Sequence, residues 1–244
     1  MRRRLLCGLF YGLVLFASAL VQAGVTTERT RVIFPAGSNE VSLRVANINP
    51  YPVMVQTWID DGALNSTPDK SISAFMPLPP VFSLLPSEHR TLRLLYTGER
   101  IPSNRESVFW LNVYEIPPTG MDARQTPEQQ RLIVAMRTQI KLFYRPSELP
   151  MKAVQAAGKL TFSLRAADQA MVLRIENPTP YYVTLSGLAI RQGMKQQSIM
   201  GDMIAPLSSL ELPVADLVVG QRGEVLFNWI DDDGNAQDAS AVLQ

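Results

Sequence analysis

Short runs of alternating apolar and polar residues recur along the chain and are separated by Pro, Gly, Asn or Asp roughly every ten residues. Because a strand sends successive side chains to opposite faces, such runs predict strands with one buried face. The predicted strands of the first half are 31–34, 41–45, 53–59, 91–96, 108–114 and 132–144; those of the second half are 159–164, 170–175, 182–190, 209–212 and 224–230. No window predicts an amphipathic helix of three turns, so the pattern indicates an all-β protein.

A domain boundary is predicted after the long strand 132–144. Pro146 and Pro150 follow that strand closely, and a second set of short strands begins beyond them. The boundary divides the chain into residues 24–146 and 147–244. Each part is near the size of an immunoglobulin-like β-sandwich, so the predicted fold is two such domains.

Residues 1–23 have the pattern of a secretory signal peptide. Arg2, Arg3 and Arg4 precede an apolar run that ends at the small-residue pattern Val21-Gln22-Ala23. The run is about 16 residues long, shorter than the roughly 20 that a membrane helix needs. We expect cleavage after Ala23, with Ala19 as the second choice, and no membrane insertion of the mature chain.

The remaining composition excludes several classes of chemistry. The leader contains three of the 23 basic residues and none of the 22 acidic ones, so 20 basic side chains face 22 acidic ones in the mature chain. A net charge of −2 does not indicate nucleic acid as a partner. Cys7 lies in the leader and His89 is the single histidine, so no metal site, no cofactor and no cysteine-based catalysis are expected.

Four segments, in this order along the mature chain, resemble the periplasmic pilus (fimbrial) assembly chaperones. They are ERTRVIF at 28–34, NVYEIPP at 112–118, IKLFYRP at 140–146 and RIENPTPYYVT at 174–184. The resemblance implies an L-shaped pair of immunoglobulin-like domains with a cleft between them. It also implies a periplasmic chaperone without catalytic function. Such a chaperone lends a β-strand to pilus subunits that lack their last strand and passes them to an outer-membrane usher.

The resemblance places the donor strand at Leu132, Val134 and Met136, whose alternation sends three apolar side chains to one face. The alternative is that these three side chains pack only inside their own sandwich. A donor strand leaves an exposed edge, which is an aggregation hazard, and self-association of the free protein is one way to cover it.

By the same resemblance, Arg31 and Lys141 hold the C-terminal carboxylate of the subunit. Isolated, these two cations would be interpreted as surface charges. Lys141 has the opposite parity from Met136, so we expect twist or a bulge between them, or contact with different parts of the subunit.

A second set, Glu115, Arg145 and Asp232, matches an interdomain charge cluster of the family. There a guanidinium can bridge two carboxylates and fix the angle of the cleft. Because Asp231, Asp232 and Asp233 are consecutive, the assignment to Asp232 can slip by one residue, and a solvated acidic turn is the alternative.

Two other functions remain open at this point. A pilus subunit or adhesin module is the first, although such proteins usually carry an N-terminal donor extension, and residues 24–30 are short and polar. A secreted β-sandwich hydrolase is the second, but no paired-carboxylate motif is present. The chain also lacks a second-domain disulfide that many chaperones of the family carry, so its last strand is uncertain from sequence.

Overall fold

Strands form nearly all of the regular structure. The computed structural model describes residues 24–118, 134–167 and 170–244, so the predicted leader lies outside the described residues. The helices of this part are two short 3₁₀ turns, Ala153–Gln155 and Ala157–Lys159. The prediction of an all-β protein is confirmed. No helix in the described ranges has the length and apolar character needed to cross a membrane.

The first domain is a sandwich of two sheets. Its strands are β1 (Val25–Thr27), β2 (Arg31–Pro35), β3 (Glu40–Asn47), β4 (Val53–Asp60), β5 (Phe75–Leu78), β6 (Val81–Leu84), β7 (His89–Tyr96), β8 (Ser107–Ile116) and β9 (Met136–Arg145). One sheet has the order β1-β3-β7-β5 and the other the order β2-β9-β8-β4-β6. The first strand of the sandwich is thus split, since β1 belongs to one sheet and β2 to the other.

Alternating apolar residues from both sheets fill the core of this sandwich. Leu43 and Leu94 contribute from one sheet, and Leu111 and Leu142 contribute from the other. Phe34 of β2 packs edge-on against Phe75 of β5, with ring centroids 4.9 Å apart. Strand β2 is therefore fixed to the core by a large aromatic side chain, and this fixes the position of Arg31 at its start.

The second domain forms one curled sheet that encloses its own core. Its strands are β10 (Thr161–Ala167), β11 (Ala170–Asn177), β12 (Val183–Gln192), β13 (Lys195–Met200), β14 (Met203–Ile204), β15 (Ser208–Val214), β16 (Gly223–Ile230) and β17 (Ala236–Leu243). The order is β13-β12-β16-β17-β10-β11-β15, with β14 paired to β12. Phe162 and Phe227 meet in its core, with ring centroids 5.1 Å apart.

The last strand of the second domain is present without a disulfide. Strand β17 pairs with β16 along its whole length, from Ala236 opposite Ile230 to Leu243 opposite Gly223. Leu243 is buried in the second core. Backbone pairing and this apolar anchor therefore hold the strand that the sequence left uncertain.

Candidate functional site

Strand β9 has a complete neighbour on one edge and a partial neighbour on the other. On one edge it pairs with β8 from Met136 to Tyr144. On the other edge, the parallel strand β2 pairs only with residues 141–145. Within the described part of the chain, residues 136–140 therefore have no strand beside them on that edge, and their outward backbone groups are available for pairing.

The open part of β9 carries the described residues of the predicted donor strand. Met136 is 47% exposed, and Val134, just before the strand, is 59% exposed. Farther along the same face, Ile140 and Leu142 are buried in the core. Met136 is thus not sealed inside its own sandwich, which was the alternative interpretation. The third predicted residue, Leu132, lies outside the described residues.

Lys141 points to the opposite face of β9 from Met136. The pairing of β8 with β9 continues from Glu115 opposite Met136 to Ser107 opposite Tyr144 with no shift in register. The structure therefore has no bulge between Met136 and Lys141. Of the alternatives raised from the sequence, twist or contact with different parts of a partner remains.

Arg31 and Lys141 are direct neighbours across the β2 and β9 pairing. Arg31 is 9% exposed, and its Nη1 donates to the backbone oxygen of Ile230 in the second domain at 3.0 Å. Its Nε atom is buried and has no hydrogen-bond partner among the described residues. The Nζ atom of Lys141 lies 5.4 Å from the ring centroid of Trp110. Two cations thus lie side by side at the junction of the domains.

The surroundings of this cation pair disfavour its charge. Burial lowers the pKa of Arg31, against an opposing effect of Asp232 and Asp231. Burial also lowers the pKa of Lys141, and the neighbouring charge of Arg31 lowers it further. Neither cation forms an ion pair with a carboxylate of the described residues at 4.0 Å or less. The opposite charge of a carboxylate placed between them would offset both the desolvation cost and the mutual repulsion.

A cavity of about 240 Å³ opens between the two domains next to Arg31. Arg31, Phe143 and Arg145 line it from the first domain, and Trp229 and Asp231 are among the residues that line it from the second. No group of three or more His, Cys, Asp or Glu side chains that could hold a metal ion occurs in the described ranges. Glu106, Asp232 and Asp233 also line the cavity, so its lining carries both signs of charge. Arg145 is paired with Glu106 and Asp232, so among the described residues Arg31 is the cation of the lining without an ion-pair partner.

The interdomain charge cluster forms around Arg145. Its Nη1 and Nη2 donate to the two carboxylate oxygens of Asp232 at 2.6 and 2.7 Å, and its Nε donates to Glu106 Oε1 at 2.6 Å. Asp231 instead accepts from the backbone N–H groups of Asp233 and Asn235 in its own turn. The structure thus brings Arg145 and Asp232 together, and the acidic turn is built by Asp231.

Glu115 does not belong to this cluster, and its prediction is wrong. It lies opposite Met136 on β8, about 30 Å along the sheet from the position opposite Arg145. Its carboxylate is buried and accepts from the Val25 N–H and from Asn49 Nδ2, both at 2.8 Å. Glu115 therefore holds strand β1 in the first domain.

Glu106 occupies the place that was assigned to Glu115. Its carboxylate bridges the domains, because Oε1 accepts from Arg145 and Oε2 accepts from the backbone N–H of Tyr182 at 2.9 Å. Its own backbone N–H donates to the oxygen of Pro180 at 2.9 Å. The sequence alone gave no signal for Glu106, because its place beside Arg145 follows from the register that sets Ser107 opposite Tyr144.

The electrostatics of the cluster favour a fixed ion pair. Burial raises the pKa of the Glu106 carboxyl, and the charge and hydrogen bond of Arg145 oppose that rise. Burial alone would lower the pKa of Arg145, but its bonds with Asp232 and Glu106 raise it above the ordinary value. The two domains are thus connected by a guanidinium that stays charged and that both carboxylates orient.

A double-mutant cycle should separate Glu106 from Glu115. The cost of Arg145→Ala should fall when Glu106→Gln is already present, because the two side chains share a hydrogen bond, whereas Glu115→Gln and Arg145→Ala should be additive within about 0.5 kcal/mol. Urea unfolding of the unmodified protein, the three single variants and the two double variants measures both couplings. Coupling to Glu115 and none to Glu106 would contradict the assignment.

Together these features define a two-domain β-sandwich protein with an open strand edge on β9 and an unpaired cation, Arg31, in the cavity between its domains. Residues 24–150 match the family model described as "Pili and flagellar-assembly chaperone, PapD N-terminal domain", and residues 155–241 match "Pili assembly chaperone PapD, C-terminal domain". The chain therefore belongs to the pilus assembly chaperone family. Its function is that of a fimbrial chaperone rather than of a pilus subunit or a hydrolase.

Individual relatives agree with this membership. The chain is 37% identical over 229 residues to the chaperone protein FimB/FhaD of Bordetella pertussis, covering 91% of this chain and 89% of that protein. The crystal structure of the YadV chaperone is similar with a TM-score of 0.76 and 33% identity, covering 90% of this chain and 99% of that one. The Salmonella enterica SafB chaperone, solved in complex with the SafA pilin, has a TM-score of 0.72 and 26% identity, covering 92% of this chain and 99% of the solved chain.

Proposed function

We propose that this chaperone holds pilus subunits by donating β9 as a strand, in the manner of donor-strand complementation. The observation that carries the proposal is the short reach of β2, which leaves residues 136–140 unpaired on one edge. A subunit strand that adds there satisfies those backbone groups with hydrogen bonds, each of which contributes about 1 kcal/mol. The pilin complex of the SafB chaperone supports the choice of a pilus subunit as the partner.

The apolar side chains of the donor segment supply most of the attraction. Val134 and Met136 are exposed in the described part, and Leu132 continues the same alternation. If each of the three is buried in a groove of the subunit at about 1.5–3 kcal/mol, the gain is at most about 5–9 kcal/mol before the ordering costs.

Arg31 and Lys141 anchor the C-terminal carboxylate of the subunit. A terminal carboxylate can accept from both cations at once, and charge-assisted hydrogen bonds of this kind are short and strong. Because Lys141 and Met136 face opposite sides of β9, the anchor and the donor side chains contact different parts of the subunit. The anchor then sets the register in which the subunit strand meets the open edge.

The place of action follows from the same proposal. Cleavage of residues 1–23 releases the chain into the periplasm, where the domains 24–146 and 147–244 fold. An outer-membrane usher receives the loaded subunit from the chaperone. Self-association along the open edge of β9 protects the free protein from aggregation.

The test places a charge on the donor face. Met136→Asp should abolish the recovery of a one-to-one complex when the chaperone is co-expressed with a pilus subunit of the same bacterium, because a carboxylate buried in an apolar groove is strongly unfavourable. Co-purification on a tagged subunit, followed by size-exclusion chromatography, measures the recovery.

Met200→Asp is the matched control. Met200 is also an exposed methionine on a strand, at the end of β13 in the second domain. This variant should recover the subunit as the unmodified chaperone does. Equal recovery with both variants, or a subunit that stays soluble and folded without any chaperone, would refute strand donation.

A further inference from the structure

The open segment of β9, residues 136–140, has a neighbouring strand, β8, on one edge only among the described residues. On the inner face, Met136 and Thr138 are exposed, so the core does not hold the start of the strand. The remaining face is the outer one, and there Arg137 connects the segment with the body of the domain.

The guanidinium of Arg137 uses its whole set of donors. Nε donates to Asn112 Oδ1 at 2.7 Å, which joins the strand to β8 through side chains as well as through the backbone. Nη1 donates to the backbone oxygens of Leu64 and Ser66 at 2.8 and 3.2 Å. Nη2 donates to the backbone oxygen of Ala63 at 3.2 Å and to Asp60 at 3.4 Å. Arg137 therefore bridges three elements: β8, the end of β4 and the loop after β4.

Groups other than Arg137 also hold the carboxylate that receives this guanidinium. The Asp60 carboxylate is 3% exposed and accepts from Trp58 Nε1 at 2.9 Å, from the Gly62 N–H at 2.7 Å and from Asn112 Nδ2 at 2.7 Å. The Trp58 ring lies 4.9 Å from the Arg137 guanidinium carbon, which gives that cation an aromatic face to stack on. Removal of the Arg137 side chain would leave Asp60 with three hydrogen bonds.

We propose that Arg137 is a positioning residue that holds the donor segment straight and in place before a subunit arrives, an inference that rests on the proposed strand donation. A flexible donor segment would lose conformational entropy on binding, at about 1–2 kcal/mol for each residue that becomes ordered. A segment that Arg137 already fixes does not lose this entropy on binding, so its affinity for the subunit is higher. Arg137 and Met136 are consecutive and face opposite sides of the strand, so Arg137 positions the strand without entering the subunit groove.

The test compares Arg137→Ala with the unmodified chaperone in two measurements. In the free protein, hydrogen exchange of those amides of residues 136–140 that point to β8 should become at least about tenfold faster, while the amides of β3 and β7 stay protected. In the complex, dissociation of the subunit should become at least about tenfold faster, which corresponds to the ordering of one or two residues. Both are measured well below the unfolding temperature of the variant, where a mere loss of global stability leaves affinity unchanged.

Two further variants sharpen the result. Arg137→Lys keeps the stem and the charge but lacks the planar fork, so it should restore part of the protection and part of the affinity. Arg93→Ala is the matched control, because Arg93 forms an exposed ion pair with Glu40 in the other sheet, and both measurements should stay unchanged.

The outcomes distinguish this inference from the proposed function. If Arg137→Ala leaves either the exchange of residues 136–140 or the dissociation rate unchanged, the positioning role is refuted while strand donation stands. If the unmodified chaperone does not retain a subunit, strand donation fails and the role of Arg137 in it fails too.

Discussion

Replacing Lys141 with alanine should abolish the recovery of pilus subunits while the chaperone itself stays folded. Removing one partner from a desolvated ion pair costs about 2–5 kcal/mol, equivalent to a loss of affinity of about 30-fold to several thousandfold. The free chaperone should not lose stability. Burial and the charge of Arg31 already disfavour the Lys141 ammonium, as its lowered pKa indicates. Co-expression with a subunit measures recovery, and thermal unfolding measures stability.

Arg31→Ala should have the same effect on recovery, since both cations contact one carboxylate in the proposed complex. Lys159→Ala is the control, because Lys159 is an exposed lysine of the second domain and its replacement should not change recovery.

The pH dependence of the affinity tests whether the charge of Lys141 is the cause. A lysine with a lowered pKa loses its charge as the pH rises through that pKa. The affinity for the subunit should therefore begin to fall at a pH below 10.5, the ordinary pKa of lysine. Normal recovery with both Arg31→Ala and Lys141→Ala would rule out the carboxylate anchor.

Replacing Arg145 with alanine should destabilise the chaperone and weaken its hold on subunits. The change removes the bidentate bond to Asp232 and leaves Glu106, only 2% exposed, without its counter-charge. Leaving a buried charge unpaired lowers the free energy of unfolding by about 3–5 kcal/mol. Urea unfolding measures this loss. Subunit recovery should also fall, because the cavity between the domains is lined by residues from both and its shape depends on their relative position.

Arg93→Ala supplies the comparison for this prediction as well. The ion pair of Arg93 with Glu40 has both side chains largely in solvent, and such pairs contribute at most about 1 kcal/mol. The free energy of unfolding should therefore change by no more than that amount. Similar losses in the two variants would show that Arg145 is an ordinary surface cation and that the interdomain cluster does not fix the cleft.

Much of the fold was predicted from the period of the pattern alone. The strands with clear alternation, such as 41–45, 53–59 and 108–114, lie within β3, β4 and β8. The strands that were missed give weak local signals. Strand β5 contains Pro77, and the loop between β5 and β6 contains Pro79 and Pro80, so that region was not interpreted as strand. Strand β17 has few large apolar residues, because most of its side chains are exposed or half-buried. Its position is fixed mainly by the backbone of β16.

The features of the site also differ in whether the local sequence could indicate them. Runs of consecutive residues such as ERTRVIF and IKLFYRP indicated the family and contain Arg31, Lys141 and Arg145. Asp232 lies outside these runs, and three consecutive Asp left its assignment open by one residue. Such runs can be recognised from neighbouring residues alone. They could not show that β2 stops pairing at Lys141, because the length of a pairing depends on where a distant strand begins.

By itself, the sequence indicated most of the longer strands, their division into two β-sandwich domains and, through the family resemblance, the cations Arg31 and Lys141. Only the tertiary structure decided that Glu106 rather than Glu115 faces Arg145, that residues 136–140 keep an open edge and that Arg137 reaches Asp60. The physical reason is that alternation along a strand indicates the face on which each side chain lies. The residue opposite it on the neighbouring strand depends on the register of the pairing. Register depends on the packing of the whole domain.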